Sequence, residues 1–90
     1  MQTGINEENI QHIAFLTSCN CHGEAYQRGA EMLGCEKLAE RFSNIEYQRQ
    51  KVGHLSVELQ YDRRKAYEEM MEYARTHMSE VDFQKFYMAF

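Results

Sequence analysis

The side chains best suited to chemistry lie together near the start of the chain, in Cys19-Asn20-Cys21-His22. Thiolate and imidazole both ligate soft metal ions, and a thiolate is also a nucleophile. The spacing fits neither familiar use. A zinc pair has two or more residues between its cysteines, and a covalent haem site reads Cys-x-x-Cys-His. On a continuous helix Cys19 and Cys21 would diverge by about 200° and could not grip one ion. Cys19 and His22, one turn apart, would be the pair left to form a thiolate site. The expected role of the cysteines is structural, as small apolar residues of a helix core.

A second set is built on carboxylates. Glu24 and Glu31 are seven apart and share a helix face, while Glu46 and His54 lie two turns apart with Gln50 between them. Di-iron bundles use inward-facing Glu together with Glu-x-x-His on paired helices. Here the residue three before His54 is Lys51, so that motif is missing. The set is expected to be surface acids and salt bridges, with no metal and no cofactor. His12 and His77 are isolated. There is no Gly-rich phosphate loop and no Ser/His/Asp or Cys/His constellation, so the chain is not expected to be an enzyme.

These residues must be positioned by helices. Ninety residues allow one domain, 1–90, with a thin core. With no proline, five glycines and no alternating Val/Ile/Thr runs, the fold class is all-α. From Glu36 to His77 a heptad seam recurs at Leu38, Phe42, Ile45, Arg49, Val52, Ser56, Leu59, Arg63, Ala66, Met70, Tyr73 and His77. That is the period of a long helix packed lengthwise on another. Gln60–Asp62 and Gly53 are its possible bends.

Before it, one helix is predicted over about residues 6–33, started by Asn6 with Glu7 and Glu8 and stopped by Gly34. It carries two apolar stripes. Ile10, Ile13, Ala14, Thr17, Cys21, Ala25 and Met32 form one, and Phe15, Cys19, Tyr26, Ala30 and Leu33 form the other. The short connection at Gly34 makes the two helices an antiparallel hairpin. That pairing sets Ile13 near Ser56, Ile10 near Leu59 and Cys21 near Arg49. Glu24 is then in reach of Arg49, and Glu7 or Glu8 of Arg63. Ser79-Glu80-Val81-Asp82 opens a short C-terminal helix in capping-box style. Its Phe83, Phe86 and Phe90 are expected to fold back on Tyr73, Met70 and Ala66.

The stretch from Ile10 to Leu59 resembles the first helical hairpin of a ferritin-like family of unknown function, the DUF2383 type. The residues that carry the resemblance are Leu16, Cys19, Gly23-Glu24-Ala25-Tyr26 and Ala30-Glu31, then Leu38, Phe42, Gln48, Gln50 and Leu55. It implies a bundle of four helices. Its functional implication is a metal-binding half-bundle with Glu24, Glu31, Glu46 and His54 as ligands.

Charge and hydropathy narrow the partners. A net charge of −4 argues against nucleic acid, and Arg63-Arg64-Lys65 reads as a solvated face paired with Glu68 and Glu69. No apolar run approaches the roughly 20 residues of a membrane span. Met1-Gln2-Thr3-Gly4 lacks the form of a signal peptide, and three cysteines are an odd count that suits reduced thiols. The expected location is the cytoplasm. The expected function is a small non-catalytic helical protein for protein–protein interaction or assembly, the metal-binding half-bundle being the alternative. A lone hairpin would leave the stripe with Phe15, Cys19, Tyr26 and Leu33 facing water, with Tyr47 and Leu55 adding to it. Those six are the predicted interface of a homodimer that completes a four-helix bundle.

Overall fold

Three residues with positive φ make three of the four breaks between helices: Asn20 at 60°, Gly34 at 76° and Gly53 at 92°. The computed structural model describes residues 6–90; Met1-Gln2-Thr3-Gly4, read above as lacking the form of a signal peptide, lies outside the described residues. Five helices follow in order: α1 Glu7–Ser18, α2 His22–Met32, α3 Glu36–Val52, α4 Val57–His77 and α5 Glu80–Ala89. The fold is all-helical, with no strand among the described residues.

The single helix expected over 6–33 is two helices. α1 ends at Ser18 in a Schellman motif, with the Cys21 N–H donating to the Leu16 carbonyl at 2.8 Å and the Asn20 N–H to Thr17 at 3.1 Å. Asn20 holds the left-handed position, which asparagine tolerates better than most residues that carry a Cβ. The same device closes α2. There Gly34 is left-handed, its N–H donates to Glu31 at 3.0 Å, and the Cys35 N–H donates to Ala30 at 3.0 Å. In both places the cysteine that ends the motif is also the residue from which the next helix starts.

The long helix expected over 36–77 is likewise two. α3 stops on Gly53, whose N–H donates to the Arg49 carbonyl at 2.8 Å, and α4 restarts after Ser56. Ser56, counted above as a small seam residue, is a cap whose Oγ accepts from the Leu59 N–H at 3.2 Å. Asn6 caps α1 in this way and Ser79 caps α5.

Packing directions follow from cross-helix contacts. Gly23 meets Glu46 and Tyr26 meets Phe42, so α2 and α3 are antiparallel. Arg41 pairs with Glu69 across the antiparallel α3–α4 hairpin. Arg75 lies 5.5 Å from the Phe83 ring, which sets α5 antiparallel to α4. The seam is real: Phe42, Ile45, Leu59, Ala66 and Met70 are all buried. Only Val52 and His77, at the ends of α3 and α4, are exposed.

α5 folds back as expected, but it reaches further than α4. A Cβ on Gly29 would stand 2.6 Å from Phe90 Cζ, 3.2 Å from Met70 Sδ and 3.3 Å from Phe86 Cζ. α2 therefore offers bare backbone to the tail aromatics, and Phe86 is fully buried between α2 and α4. α1 does not lie along α4. It packs on α2 and α5, with Ile13 and Leu16 clustered around Ala25 and Ala89. The pairings of Ile13 with Ser56 and of Ile10 with Leu59 are therefore not formed. Glu7 receives Lys85 at 3.3 Å, not Arg63.

Phe86→Ala should destabilise the fold by about 3–5 kcal/mol, the range for emptying a buried aromatic site. Urea denaturation measures this, and an unchanged midpoint would show that α5 does not hold the core together.

Candidate interaction cleft

The face of α4 beside the seam repeats every three to four residues: Gln60, Arg63–Arg64, Tyr67–Glu68. With Tyr26 from α2 and Leu55 from the α3–α4 connection, these residues line an open cleft of about 580 Å³. Tyr26 is its centre. Its ring lies 5.0 Å from Tyr67, 5.6 Å from Phe42 and 5.7 Å from Phe90. Centroid spacings of this size are the favourable range for tilted aromatic pairs.

The Arg63 guanidinium sits 5.5 Å from the Tyr26 ring, a cation–π distance, and Arg63 makes no ion pair among the described residues. Arg64 and Glu68 form an exposed pair at 3.5 Å. Gln60 Nε2 donates to the Leu55 carbonyl at 3.1 Å and fixes the corner. Burial raises the Tyr67 phenol above its ordinary pKa, and the neighbouring Tyr26 and Tyr87 add to the shift. The cleft therefore combines an aromatic floor with a cationic rim.

A smaller cleft of about 220 Å³ adjoins Arg63 and is lined by Asn20, Cys21, His22, Gly23, Glu24, Glu46 and Arg49. Glu46 Oε1 accepts from Arg49 Nε at 2.9 Å and also from its Nη2. The hydrogen bonds and charge of Glu46 raise the Arg49 pKa further. Glu46 Oε2 lies where a Cβ on Gly23 would be, 2.1 Å from that position. The carboxylate is thus seated on the first turn of α2, where negative charge is favoured. The Arg49 partner is Glu46, one turn away on its own helix, and not Glu24 as expected.

The four carboxylate and histidine candidates do not converge on one point: Glu24 borders the smaller cleft with Glu46 and a separate depression with Glu31, and His54 is in neither. Glu46 is engaged by Arg49, while Glu31 lines a separate depression with Leu16, Glu24, Gln27 and Arg28. His54 is exposed at the α3–α4 connection. Among the described residues no three His, Cys, Asp or Glu side chains are gathered so as to hold a metal ion.

The six interface candidates also separate. Phe15, Cys19 and Tyr47 are exposed, whereas Leu33 packs against the core and Tyr26 is half-buried under Phe90. Ala30, between Tyr26 and Leu33 on the expected stripe, is fully buried. The single apolar face is not formed, because α1 turns away at Asn20 and the tail covers what remains. Tyr26 and Leu55 do come together, in the larger cleft. Tyr67 and Arg63 were not foreseen there. Their signal was the four-residue step from Arg63 to Tyr67 along one flank of the seam.

Among the described residues no helix is long and apolar enough to cross a membrane. Comparison with protein-family models, with curated proteins and with solved structures finds no match for this chain.

The raised Tyr67 pKa means that, above about pH 10, unfolded chains lose this proton before folded ones. Stability from this group is intact below that pH and falls as pH rises through the folded value. Melting temperature should therefore drop less steeply above pH 10 in Tyr67→Phe than in the native chain. Parallel alkaline profiles would show that the phenol is not held in an apolar site.

Proposed function

We propose that this protein is a helical module that works by binding another protein chain, without catalysis there, at the cleft between α2 and α4. The observation that carries the reading is the pairing of an aromatic floor, Tyr26 and Tyr67, with the Arg63 and Arg64 rim around one open cavity. Tyrosine and arginine are the residue types that dominate binding energy at protein interfaces. A segment with an apolar side chain beside a carboxylate would match both parts of the cleft.

A second copy of the chain is the partner proposed first. Tyr47, Val57 and Tyr61 are 66%, 81% and 61% exposed, and the last two lie one turn apart on α4. These large apolar groups lose contact with water on association, and a net charge of −4 supplies acids to meet the arginines. The odd cysteine count supports a cytoplasmic place of action. The ferritin-like metal-binding reading gains no support from Glu24, Glu31, Glu46 and His54, no three of which are gathered at one point.

Light scattering coupled to size exclusion, at micromolar concentration, should give twice the monomer mass. Leu55→Asp together with Arg64→Glu should weaken association at least about tenfold, equivalent to 1.4 kcal/mol. Native protein that stays monomeric with a cooperative melt would refute the dimer. Unaltered association of the double variant would move the interface away from the cleft.

A further inference from the structure

The break at Asn20 changes what Cys19 and Cys21 can do. On a continuous helix their side chains diverge, but here Cys19 is the last residue of the α1 cap, Asn20 turns left-handed, and Cys21 lies beyond the turn. Two residues of fully extended chain span at most about 7 Å, and the bend at Asn20 shortens that span. A disulfide requires Cα atoms about 4.4–6.8 Å apart, a range open to residues two apart, and the left-handed Asn20 removes the helical divergence that would hold the two side chains apart. The Cys21 thiol donates to the Cys19 carbonyl oxygen at 3.7 Å, which brings its sulfur back to the backbone of residue 19. Cys19 is exposed, while Cys21 is half-buried against the cluster of Ile13, Leu16, Ala25 and Ala89.

We propose that Cys19 and Cys21 form a dithiol site that reduces low-molecular-weight disulfides and closes to an intrachain Cys19–Cys21 disulfide. The exposed Cys19, having lost its proton to solvent, attacks one sulfur of the substrate. The substrate S–S bond breaks, a mixed disulfide forms, and the first substrate thiolate leaves and takes up a proton. Cys21, deprotonated in turn, attacks the Cys19 sulfur, closes the ring and releases the second thiolate, which is also protonated. One disulfide is thus reduced to two thiols while two protein thiols lose two hydrogens and two electrons. The ring contains a single intervening residue and is open to solvent, so it is reducible again by excess thiol.

Cys35 has a different setting. It terminates the matching turn after α2 and is half-buried, and desolvation raises its thiol pKa while a hydrogen bond with Tyr73 opposes the shift. It serves as the internal control.

The test uses the full chain, oxidised glutathione as the probe, an acid quench and intact-mass analysis with peptide mapping. The native protein should lose two hydrogens, map the bridge to Cys19–Cys21 and carry no lasting glutathione adduct. Cys21→Ser should instead accumulate a mixed disulfide at Cys19, because the resolving thiol is gone. Cys35→Ser should behave as the native chain does. Native protein that keeps the glutathione adduct at Cys19 would overturn the proposal, as would a bridge involving Cys35. Failure of Cys19 to react under excess oxidant would also overturn it. Circular dichroism of each variant separates loss of chemistry from loss of fold.

Discussion

The close approach of three side chains to the bare backbone at Gly29 is the contact on which the molecule depends. Met70 comes from α4, and Phe86 and Phe90 from α5 and its end; all three meet the same stretch of α2. Without a Cβ there, the tail can bind two helices at once. Phe90 then packs against Tyr26 and Tyr67, the two rings that line the cleft. A contact buried in the core thus fixes the orientation of the surface proposed to bind a partner. An alanine at position 29 would favour the helix locally by roughly 1 kcal/mol, yet it would have to displace the Phe90 ring.

Electrostatics tie the other end of α2 to α3. Glu46 is held by Arg49 and lies against Gly23, so one carboxylate satisfies a guanidinium and a helix N-terminus together. A glycine again permits the approach. The two glycines, six apart on α2, let its neighbours close in without a side chain between them, and α2 becomes the helix around which the others assemble.

Much of the core was readable from the heptad seam, because burial follows period whether or not the helix is continuous. Phe42, Ile45, Leu59, Ala66 and Met70 occupy the positions that the spacing required. The breaks were harder to read. Gly34 announces its turn by residue type, but Asn20 makes the same turn and is as common on a helix surface as in a left-handed cap. Ser56 had two readings, small seam residue and cap, and the Gly53 turn before it selects the cap. The candidate site suffered from the same ambiguity. Tyr26 and Leu55 were recognisable as apolar residues off the main stripe, and they do share a cleft. Arg63 was read as a seam charge seeking a carboxylate, whereas it rests over the Tyr26 ring. Spacing gives the face a residue occupies; it does not say whether a cation there meets a carboxylate or an aromatic ring.

α1 runs alongside α5 in the same direction, with Glu7 beside Lys85 and Ile13 and Leu16 beside Ala89. The first of the five helices therefore completes its packing only against the fifth. Glu7 and Lys85 are 78 positions apart in sequence, so closing this junction carries a high loop-closure cost. Until α5 docks, Ile13 and Leu16 keep one side uncovered, and α1 is open to contact with other incompletely folded surfaces.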